Sequence, residues 1–353
     1  MKKNHLILPF ICCAAILAGC GNGSANETTA APVTEAAQTT TAQAETSVAE
    51  TTETAAEEVA VSYPLELVVY DGQGNEYAQT FEQAPEHIVT TSTSAAEILI
   101  ALGLEDKIVG ITKPDNQVPE ELQPIFESFN SVGDRKTLSK EVIVAAEPDI
   151  VIGRVTSFTE EMSIDSYAEL GILSYTQLAG NATVTSKPEA LFDDIKNLGK
   201  IFDIEETAEE YASQLEDRLN EVKEAAASRS ADENLRSLIM VNFNEGVFGV
   251  MNGELQDEIM AIVGCEDIAD KGQSGLSYEN LIEYNPDVIV YIMADRNATT
   301  DATAIETMLN EDLLKTVPAV ANQKIIPIAY DSIMDVGPRM IDAIEELNAA
   351  LSE

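Results

Sequence analysis

The chain has 353 residues, of which 62 are acidic and 20 are Lys or Arg, for a formal net charge of -42. This length suffices for one large domain or two of ordinary size, and the 45% hydrophobic content allows a substantial core. A surface this acidic repels nucleic acid and anionic lipid headgroups, so we expect no nucleic-acid partner. A partner that recognises the surface electrostatically should present Arg or Lys.

Residues 1–19 predict a signal peptide. Lys2 and Lys3 form its basic start, and the apolar stretch from Leu6 to Leu17 is too short to span a bilayer comfortably. The stretch ends in "LAGC", which resembles a bacterial lipobox, where a signal peptidase cuts before a lipidated cysteine. Cys20 is therefore predicted to carry the lipid, and the alternative is an ordinary secretory signal with an incidental cysteine.

Residues 20–62 combine this cysteine with a low-complexity segment rich in Thr, Ala and Glu. Such a segment buries too little apolar surface to fold, and its glutamates repel one another. We interpret it as a tether that holds the folded part off the membrane. We therefore expect the protein to be anchored by its lipid at the outer face of the cell membrane, on a Gram-positive cell surface. We expect it to contact the membrane through the lipid alone.

The segment from Tyr63 predicts two short strands around a Gly-rich turn, followed by a third strand. A calcium-loop template also fits part of it, with oxygen-bearing residues at five ligand positions from Asp71 to Glu82. The template requires glycine where the chain has Glu76, and the flanks alternate like strands. The pattern therefore favours a hairpin over a calcium site.

Strand and helix patterns then alternate up to residue 186, which predicts a mostly parallel sheet covered by helices. The alternation pauses at a helix over 187–203 and a longer one over 205–230, which would extend roughly 39 Å. It resumes with "LRSLIMVNF" and continues to a C-terminal helix from Met340. We predict an N-terminal lobe at 63–186, linking helices at 187–231 and a C-terminal lobe at 232–353.

One cysteine, Cys265, remains in the predicted second lobe. It lies in an apolar helical pattern, and the other three cysteines belong to the predicted signal and anchor. We therefore expect no internal disulfide and a buried, small hydrophobic role for Cys265.

Two short stretches occur twice. "LSKEVIVAAEPDIVI" at 138–152 aligns without a gap with "LSYENLIEYNPDVIV" at 276–290, and "EILIALGLED" at 97–106 matches "EIMAIVGCED" at 258–267. Two matches in the same order favour two similar lobes over chance similarity of helix–strand units. Ser139 and Ser277 are suited to cap helices, which places Glu141 and Glu279 in the first turn, where the helix dipole favours negative charge.

Four stretches carry a resemblance to a known family. "PEHIVTTSTSAAEILIALGLEDKIVGI", "VGDRKTLSKEVIVAAEPDIVIG", "LSYENLIEYNPDVIV" and "VGPRMIDAIEELNAAL" together resemble the substrate-binding proteins of ABC importers for iron–siderophore complexes and vitamin B12. The resemblance runs from about Tyr63 to the C-terminus. It implies an α/β fold of two lobes joined by a single long α-helix, with a ligand cleft between the lobes.

The resemblance also implies partners. In this family one exposed glutamate on each lobe docks onto arginines of the two permease subunits, and the matching positions here are Glu141 and Glu279. Two like carboxylates suit a permease dimer that presents the same basic pocket twice. The expected partners are that dimer with its ATPase and a small metal-chelate ligand, bound by a monomer. Support of the helix dipole alone is the alternative role for the glutamates.

Ligand contacts are expected from loops at the carboxyl ends of strands. In the first predicted lobe these loops are 90–94, 112–116 and 153–158, and in the second they are 242–248, 294–297 and 330–335. Arg154 and Arg296 are candidates to bind a carboxylate or another ligand oxygen, with surface ion pairs as the alternative. Apolar contacts, or alternatively core and rim packing, are expected from the aromatic candidates. The full set of predicted ligand-binding residues is Ser92, Arg154, Phe158, Phe243, Arg296 and Tyr330.

The scarcity of histidine argues against a bare-metal site and against an enzyme. His5 belongs to the predicted signal, so His87 is the one histidine of the mature chain. We predict no catalytic residue, no metal-ligating residue and no resident cofactor, with the ligand itself a metal chelate. The alternatives are the same transport role for cobalamin or haem, a chelatase-like surface enzyme, and a sensory lipoprotein without transport. The absence of tryptophan weakens the cobalamin alternative.

Overall fold

A computed structural model describes residues 63–229 and 235–352. The predicted signal peptide, Cys20 and the tether lie outside the described residues. In the described ranges, no helix combines the length and the apolarity that are needed to cross a membrane.

The described chain begins with an antiparallel hairpin of β1 (Leu65–Tyr70) and β2 (Glu76–Phe81). The Asp71 carboxylate organises its turn by accepting hydrogen bonds from the N–H groups of Gln73 and Asn75, at 2.8 and 2.9 Å. It also accepts from Asn75 Nδ2 and from the hydroxyl of Tyr77. Donors thus surround the carboxylate where a calcium loop would require a cation, which confirms the predicted hairpin.

The first lobe contains a four-stranded sheet in the order β4–β3–β5–β6, with every pair parallel. Its strands are buried almost throughout, as expected for a parallel sheet covered by helices on both faces. The strands are β3 (Ile88–Thr90), β4 (Ile108–Ile111), β5 (Ile150–Arg154) and β6 (Leu173–Gln177). The helices are α1 (Thr93–Ala101), α2 (Gln123–Ser128), α3 (Lys140–Ala145) and α4 (Ile164–Ala168).

Two helices follow the first lobe. They are α5 (Ala190–Phe202) and α6 (Glu205–Arg229). The 25 residues of α6 extend about 37 Å at the rise of an α-helix. Its buried residues recur at helical spacing along one face: Ala208, Ala212, Leu215, Leu219 and Val222. Arg218 of the same helix contacts Asp342 and Glu345 of the C-terminal helix, each at 2.6 Å. This clamp holds the long helix against the C-terminal helix.

The second lobe contains a mixed six-stranded sheet in the order β10–β8–β7–β11–β12, with β9 beside the start of β7. Strands β7, β9, β11 and β12 pair in parallel, whereas β8 pairs antiparallel with both of its neighbours, β7 and β10. The strands are β7 (Leu235–Asn244), β8 (Val247–Met251), β9 (Cys265–Asp267), β10 (Gln273–Leu276), β11 (Val288–Met293) and β12 (Ile325–Ala329). The helices are α7 (Glu254–Ile262), α8 (Tyr278–Tyr284), α9 (Ala298–Asn310), α10 (Pro318–Ala321), α11 (Tyr330–Met334) and α12 (Arg339–Ser352).

The prediction of a helical setting for Cys265 was wrong. Helix α7 ends at Ile262, Gly264 takes a left-handed φ of 73°, and Cys265 begins β9. Gly264 can adopt this φ because it has no Cβ, and the chain turns there from helix into strand. The predicted burial of Cys265 is confirmed, since the residue is 2% exposed.

Candidate ligand-binding cleft

A cavity of about 440 Å³ lies between the two lobes. Its walls come from the carboxyl ends of parallel strands: Arg154 ends β5, Tyr330 directly follows β12, and Arg296 lies three residues beyond β11. Loops at this edge of a parallel sheet are the usual site of ligand contact in α/β proteins. The cavity therefore occupies the place that the sequence predicted for the ligand.

The cavity lining carries a small excess of positive side chains, in contrast to the strongly acidic chain as a whole. Its lining includes Lys113, Arg135, Arg154 and Arg296, against the carboxylates Asp115, Asp331 and Asp335. Only 20 of the 353 residues are Lys or Arg, so four of them around one cavity is a marked concentration. This local excess of positive charge favours an anionic ligand.

Each arginine of the lining has a partner and donors to spare. Arg154 Nη1 lies 3.5 Å from Asp335 Oδ1, and Arg135 Nε lies 3.2 Å from Asp115 Oδ2. The guanidinium of Arg296 stacks over the ring of Tyr330, at 4.4 Å from the ring centroid. A guanidinium has five N–H donors, so one such contact leaves it able to bind ligand oxygens.

Four of the six predicted ligand-binding residues line the cavity: Ser92, Arg154, Arg296 and Tyr330. The other two have packing positions. The ring of Phe158 packs edge-to-face against the ring of Tyr167, with 6.1 Å between the ring centroids. Phe243 is 2% exposed and stacks on Tyr278, with 6.3 Å between the ring centroids. Successive side chains of a strand point to opposite faces of its sheet, and in β7 the face that Phe243 shares is the buried one.

The strand-end loops that were expected to contact the ligand supply further lining residues beyond the six candidates, among them Thr91, Thr112, Lys113 and Asp335. Sequence reasoning missed Arg135, which lies in the loop between α2 and α3. Its positive charge is rare in this chain and was an available signal. Thr91 packs over Gly153, where a Cβ would lie 1.9 Å from the Thr91 Oγ1 atom. Glycine at position 153 therefore lets β5 lie close to Thr91, which lines the cavity.

Hydrogen bonds cross the cleft at its rim. Asn116 of the first lobe donates through Nδ2 to Asp331 Oδ1 at 2.6 Å and accepts through Oδ1 from the N–H of Asp295 at 3.0 Å. The N–H of Gln117 donates to Asp295 Oδ2 at 2.6 Å. The loop at residues 116–117 therefore joins the lobes on one side of the cavity.

A buried aspartate stabilises a strand-end loop in each lobe. Asp194 accepts from the Tyr175 hydroxyl at 2.7 Å and from the N–H groups of Leu178 and Ala179. Burial raises the pKa of Asp194 to about 7, although these hydrogen bonds oppose the shift. In the second lobe, Asp301 accepts from the Tyr291 hydroxyl at 2.5 Å and from the N–H of Ala294 at 2.9 Å. Ala294 opens the loop that carries Arg296, so Asp301 helps to orient that part of the cavity wall.

The two repeated glutamates are exposed at equivalent places. Glu141 lies in the first turn of α3, whose cap Ser139 accepts from the N–H of Val142, and Glu279 lies in the first turn of α8 after Ser277. The pKa of Glu141 is lowered, chiefly by a hydrogen bond with its own backbone N–H and secondly by one with the Ser139 hydroxyl. The Ser277 hydroxyl, at 2.5 Å, and the backbone lower the pKa of Glu279. Both side chains are therefore ionised at neutral pH.

Metal ligation by protein side chains has no candidate in the described ranges, where no group of three or more His, Cys, Asp or Glu residues could hold an ion.

The family described as periplasmic binding protein matches residues 88–330. The chain is 25% identical over 270 residues to an uncharacterized ABC transporter substrate-binding lipoprotein, YvrC, of Bacillus subtilis, covering 76% of this chain and 80% of that protein. It is 22% identical over 334 residues to the petrobactin-binding protein YclQ of the same organism, covering 92% and 90%. A periplasmic binding protein from Veillonella parvula shares the fold with a TM-score of 0.71 at 20% identity, over 83% of this chain and 93% of that one. The two-lobed α/β architecture, the cavity at the strand ends and the matched range agree, and the chain belongs to the periplasmic binding protein family.

Proposed function

We propose that this protein is the extracytoplasmic substrate-binding lipoprotein of an ABC importer, and that it captures an iron–siderophore-type complex and delivers it to the permease. The observation that carries the proposal is the concentration of Lys and Arg side chains around a cavity between the lobes of a strongly acidic chain. The spare donors of its cationic side chains favour a ligand with anionic oxygens.

The chemistry of the lining fits an oxygen-rich metal chelate. Arg154, Arg296 and Arg135 offer planar forks that match carboxylate or similar oxygen pairs. Tyr330 adds an aromatic face beside Arg296, and threonine and serine hydroxyls line the first-lobe wall. The metal travels inside its chelator as cargo, so the protein needs donors for the chelator rather than ligands for the metal. The petrobactin-binding name of one relative supports this ligand class.

The proposed delivery uses Glu141 and Glu279. Both are exposed, ionised and located at capped helix starts, one on each lobe. Exposed apolar side chains lie close by in the chain, with Val142 41% and Ile282 40% exposed. A charged group flanked by apolar surface suits an interface in which arginines of the permease supply the opposite charge.

Lipidation at Cys20 would keep the protein at the outer face of the membrane, next to the permease. The tether at residues 20–62 would let the folded part reach both the ligand and the transporter. A monomer is sufficient for this role, because one chain supplies both lobes and both glutamates.

The experiment that tests the proposal is analysis of protein purified from its native cells. We expect stoichiometric iron and a visible absorption band, both lost on exhaustive dialysis against denaturant and recovered when the refolded protein is mixed with the extracted chromophore. A corrin or porphyrin spectrum would redirect the ligand to cobalamin or haem. A protein that carries no chelate, and whose deletion leaves uptake of iron chelates by the cells unchanged, would contradict the proposal.

A further inference from the structure

The N-terminus of α1 has a backbone donor that the helix does not use. Ser92 caps α1 by accepting from the N–H of Ala95, at 3.2 Å. The N–H of Ser94, one residue earlier, points out of the helix end and requires an outside acceptor. Asp335 of the second lobe supplies it: Oδ2 lies 3.1 Å from Ser94 N, and Oδ1 lies 3.1 Å from the Ser94 hydroxyl oxygen.

Arg154 completes the surroundings of this carboxylate. Its Nη1 lies 3.5 Å from Asp335 Oδ1, whereas charge-assisted hydrogen bonds of this kind are about 2.7–2.9 Å long. The positive end of a helix and a guanidinium both favour an anion at this place. Asp335 therefore occupies the place without satisfying Arg154 fully.

This place belongs to the cavity. Ser92, Arg154 and Asp335 all line it, together with Thr91 and Thr112. Thr91 and Thr112 are 7% and 8% exposed, and in the described part of the chain their hydroxyls have no hydrogen-bond partner. Buried polar groups are normally paired, so these hydroxyls indicate that a polar ligand belongs in the cavity.

A glycine makes the approach of Asp335 possible. A Cβ at Gly337 would lie 2.7 Å from the Cβ of Ser94 and 3.1 Å from its Cα, both too close. The segment from Asp335 to Gly337 can therefore lie directly against the start of α1. The carboxylate reaches its site only where the second lobe meets the first.

We propose that the N-terminus of α1, the Ser94 hydroxyl and Arg154 form a carboxylate subsite of the cavity, which Asp335 occupies until a carboxylate of the ligand displaces it. The inference rests on the proposed function for the identity of the ligand and specifies its chemistry: the chelate carries at least one carboxylate that is accessible to the protein. Displacement of Asp335 removes its contact with Ser94, which joins the two lobes. Binding of a ligand carboxylate at this subsite is therefore coupled to the contact between the lobes.

The test vacates the subsite and fills it with formate. In Asp335→Ala, we expect 100 mM sodium formate to raise the melting temperature by about 2–4 °C more than 100 mM sodium chloride does. Formamide, which has a similar size and no charge, should give no such increase. The wild type and the isosteric Asp335→Asn should respond to formate as they do to chloride, because their subsite is filled. Adding Arg154→Gln to Asp335→Ala should remove most of the formate effect.

Two results would overturn the subsite. One is an Asp335→Ala protein, folded by circular dichroism, that responds equally to formate and chloride. The other is a formate response of equal size in Asp335→Asn, which would place the binding elsewhere. If Asp335→Ala does not fold, Asp335→Ser takes its place, and failure of both to fold would make Asp335 a purely structural residue. The formate response does not depend on any native ligand, so its failure is distinguishable from failure of the transport proposal.

Discussion

Glu97 of α1 and Arg339 of α12 form a buried ion pair across the two lobes, with Arg339 Nε 2.8 Å from Glu97 Oε1. The side chains are 4% and 13% exposed, and Arg339 also lies 3.8 Å from Asp331. Burial raises the pKa of Glu97 to about 7, against the opposing effect of Arg339. The pair thus connects the helix that opens the cavity wall in the first lobe to the C-terminal helix that clamps α6.

Arg339→Ala should strongly destabilise the protein. It leaves buried Glu97 without its partner, and removal of one member of such a pair costs about 3–5 kcal/mol when the remaining group stays charged. Glu97 can take up a proton instead, because burial raises its pKa and Arg339 is what holds that pKa down to about 7. This protonation sets about 3–5 kcal/mol as the upper bound of the loss. Chemical denaturation at pH 7.5 measures the effect. The double variant Arg339→Met with Glu97→Gln should recover much of the loss, because it buries no charge. A single variant as stable as the wild type would show that the pair contributes little.

The stability of the protein should fall as the pH rises from about 4.5 to 8. The folded protein holds a proton on Glu97 up to about pH 7, whereas the unfolded chain releases it near the ordinary value of 4.5. The associated stabilisation is complete below pH 4.5 and is lost as the pH rises through 7, with a magnitude on the order of 3 kcal/mol. Asp194, with a pKa raised by burial to about 7, contributes in the same direction.

Urea unfolding at a series of pH values measures this dependence. Glu97→Gln cannot titrate, so its stability should decrease less over the same interval. An equal decrease in wild type and Glu97→Gln would assign the pH dependence to other groups.

Arg154→Ala should weaken binding of the native chelate by about 1.5–3 kcal/mol, the range for hydrogen bonds to charged groups. Arg135→Ala should weaken it less, because the Arg135 side chain is 80% exposed and the Arg154 side chain is 29% exposed. Isothermal titration calorimetry with the extracted ligand measures both. Lys315→Ala, an exposed cation outside the cavity lining, is the control. Unchanged affinity in Arg154→Ala would return this residue to a surface ion-pair role.

Glu141→Arg and Glu279→Arg should each sharply reduce uptake while leaving ligand affinity unchanged, and the double variant should be nearly inactive. Each change replaces an attractive charge by a repulsive one at a proposed arginine pocket. If the glutamates only complement helix dipoles, the cost is about 1–2 kcal/mol of stability and uptake is normal. Uptake is compared at matched amounts of folded protein, with the exposed Glu127→Arg of α2 as the control for charge. Normal uptake by the double variant would leave the repeated stretches without a role in docking.

Cys20→Ser should release the protein from membranes without a change in ligand affinity, because Cys20 lies more than 40 residues before the first described residue. Membrane and soluble fractions of the native cells, probed for the protein, measure the release. Continued membrane attachment of the variant would contradict lipidation at Cys20.

Local sequence patterns were sufficient to predict the elements and much of the site. Apolar runs separated by helical periodicity gave the parallel strands, and a strand end is where Arg154, Arg296 and Tyr330 were expected and found. The caps at Ser139 and Ser277 followed from the residue type and the following turn. These predictions succeeded because each depends on residues that are neighbours in the chain.

Two features could not be read from the sequence because they depend on strand pairing between segments that are distant in the chain. The direction of the Phe243 side chain depends on its parity in β7, which is set by pairing with β8 and β11. The exit of Cys265 from a helix into β9 depends on a left-handed glycine and on pairing with β7. An apolar pattern alone is compatible with either outcome.

The amino-acid sequence by itself determined the two lobes, the long helix between them and the strand ends from which the cavity is built. Only the tertiary structure decided which charges meet there. Asp335 contacts Ser94 across 241 residues of sequence, and Asn116 contacts Asp331 across 215. Such pairs follow from how two packed lobes approach each other, which is the sum of many weak contacts and leaves no local trace in the residues that it brings together.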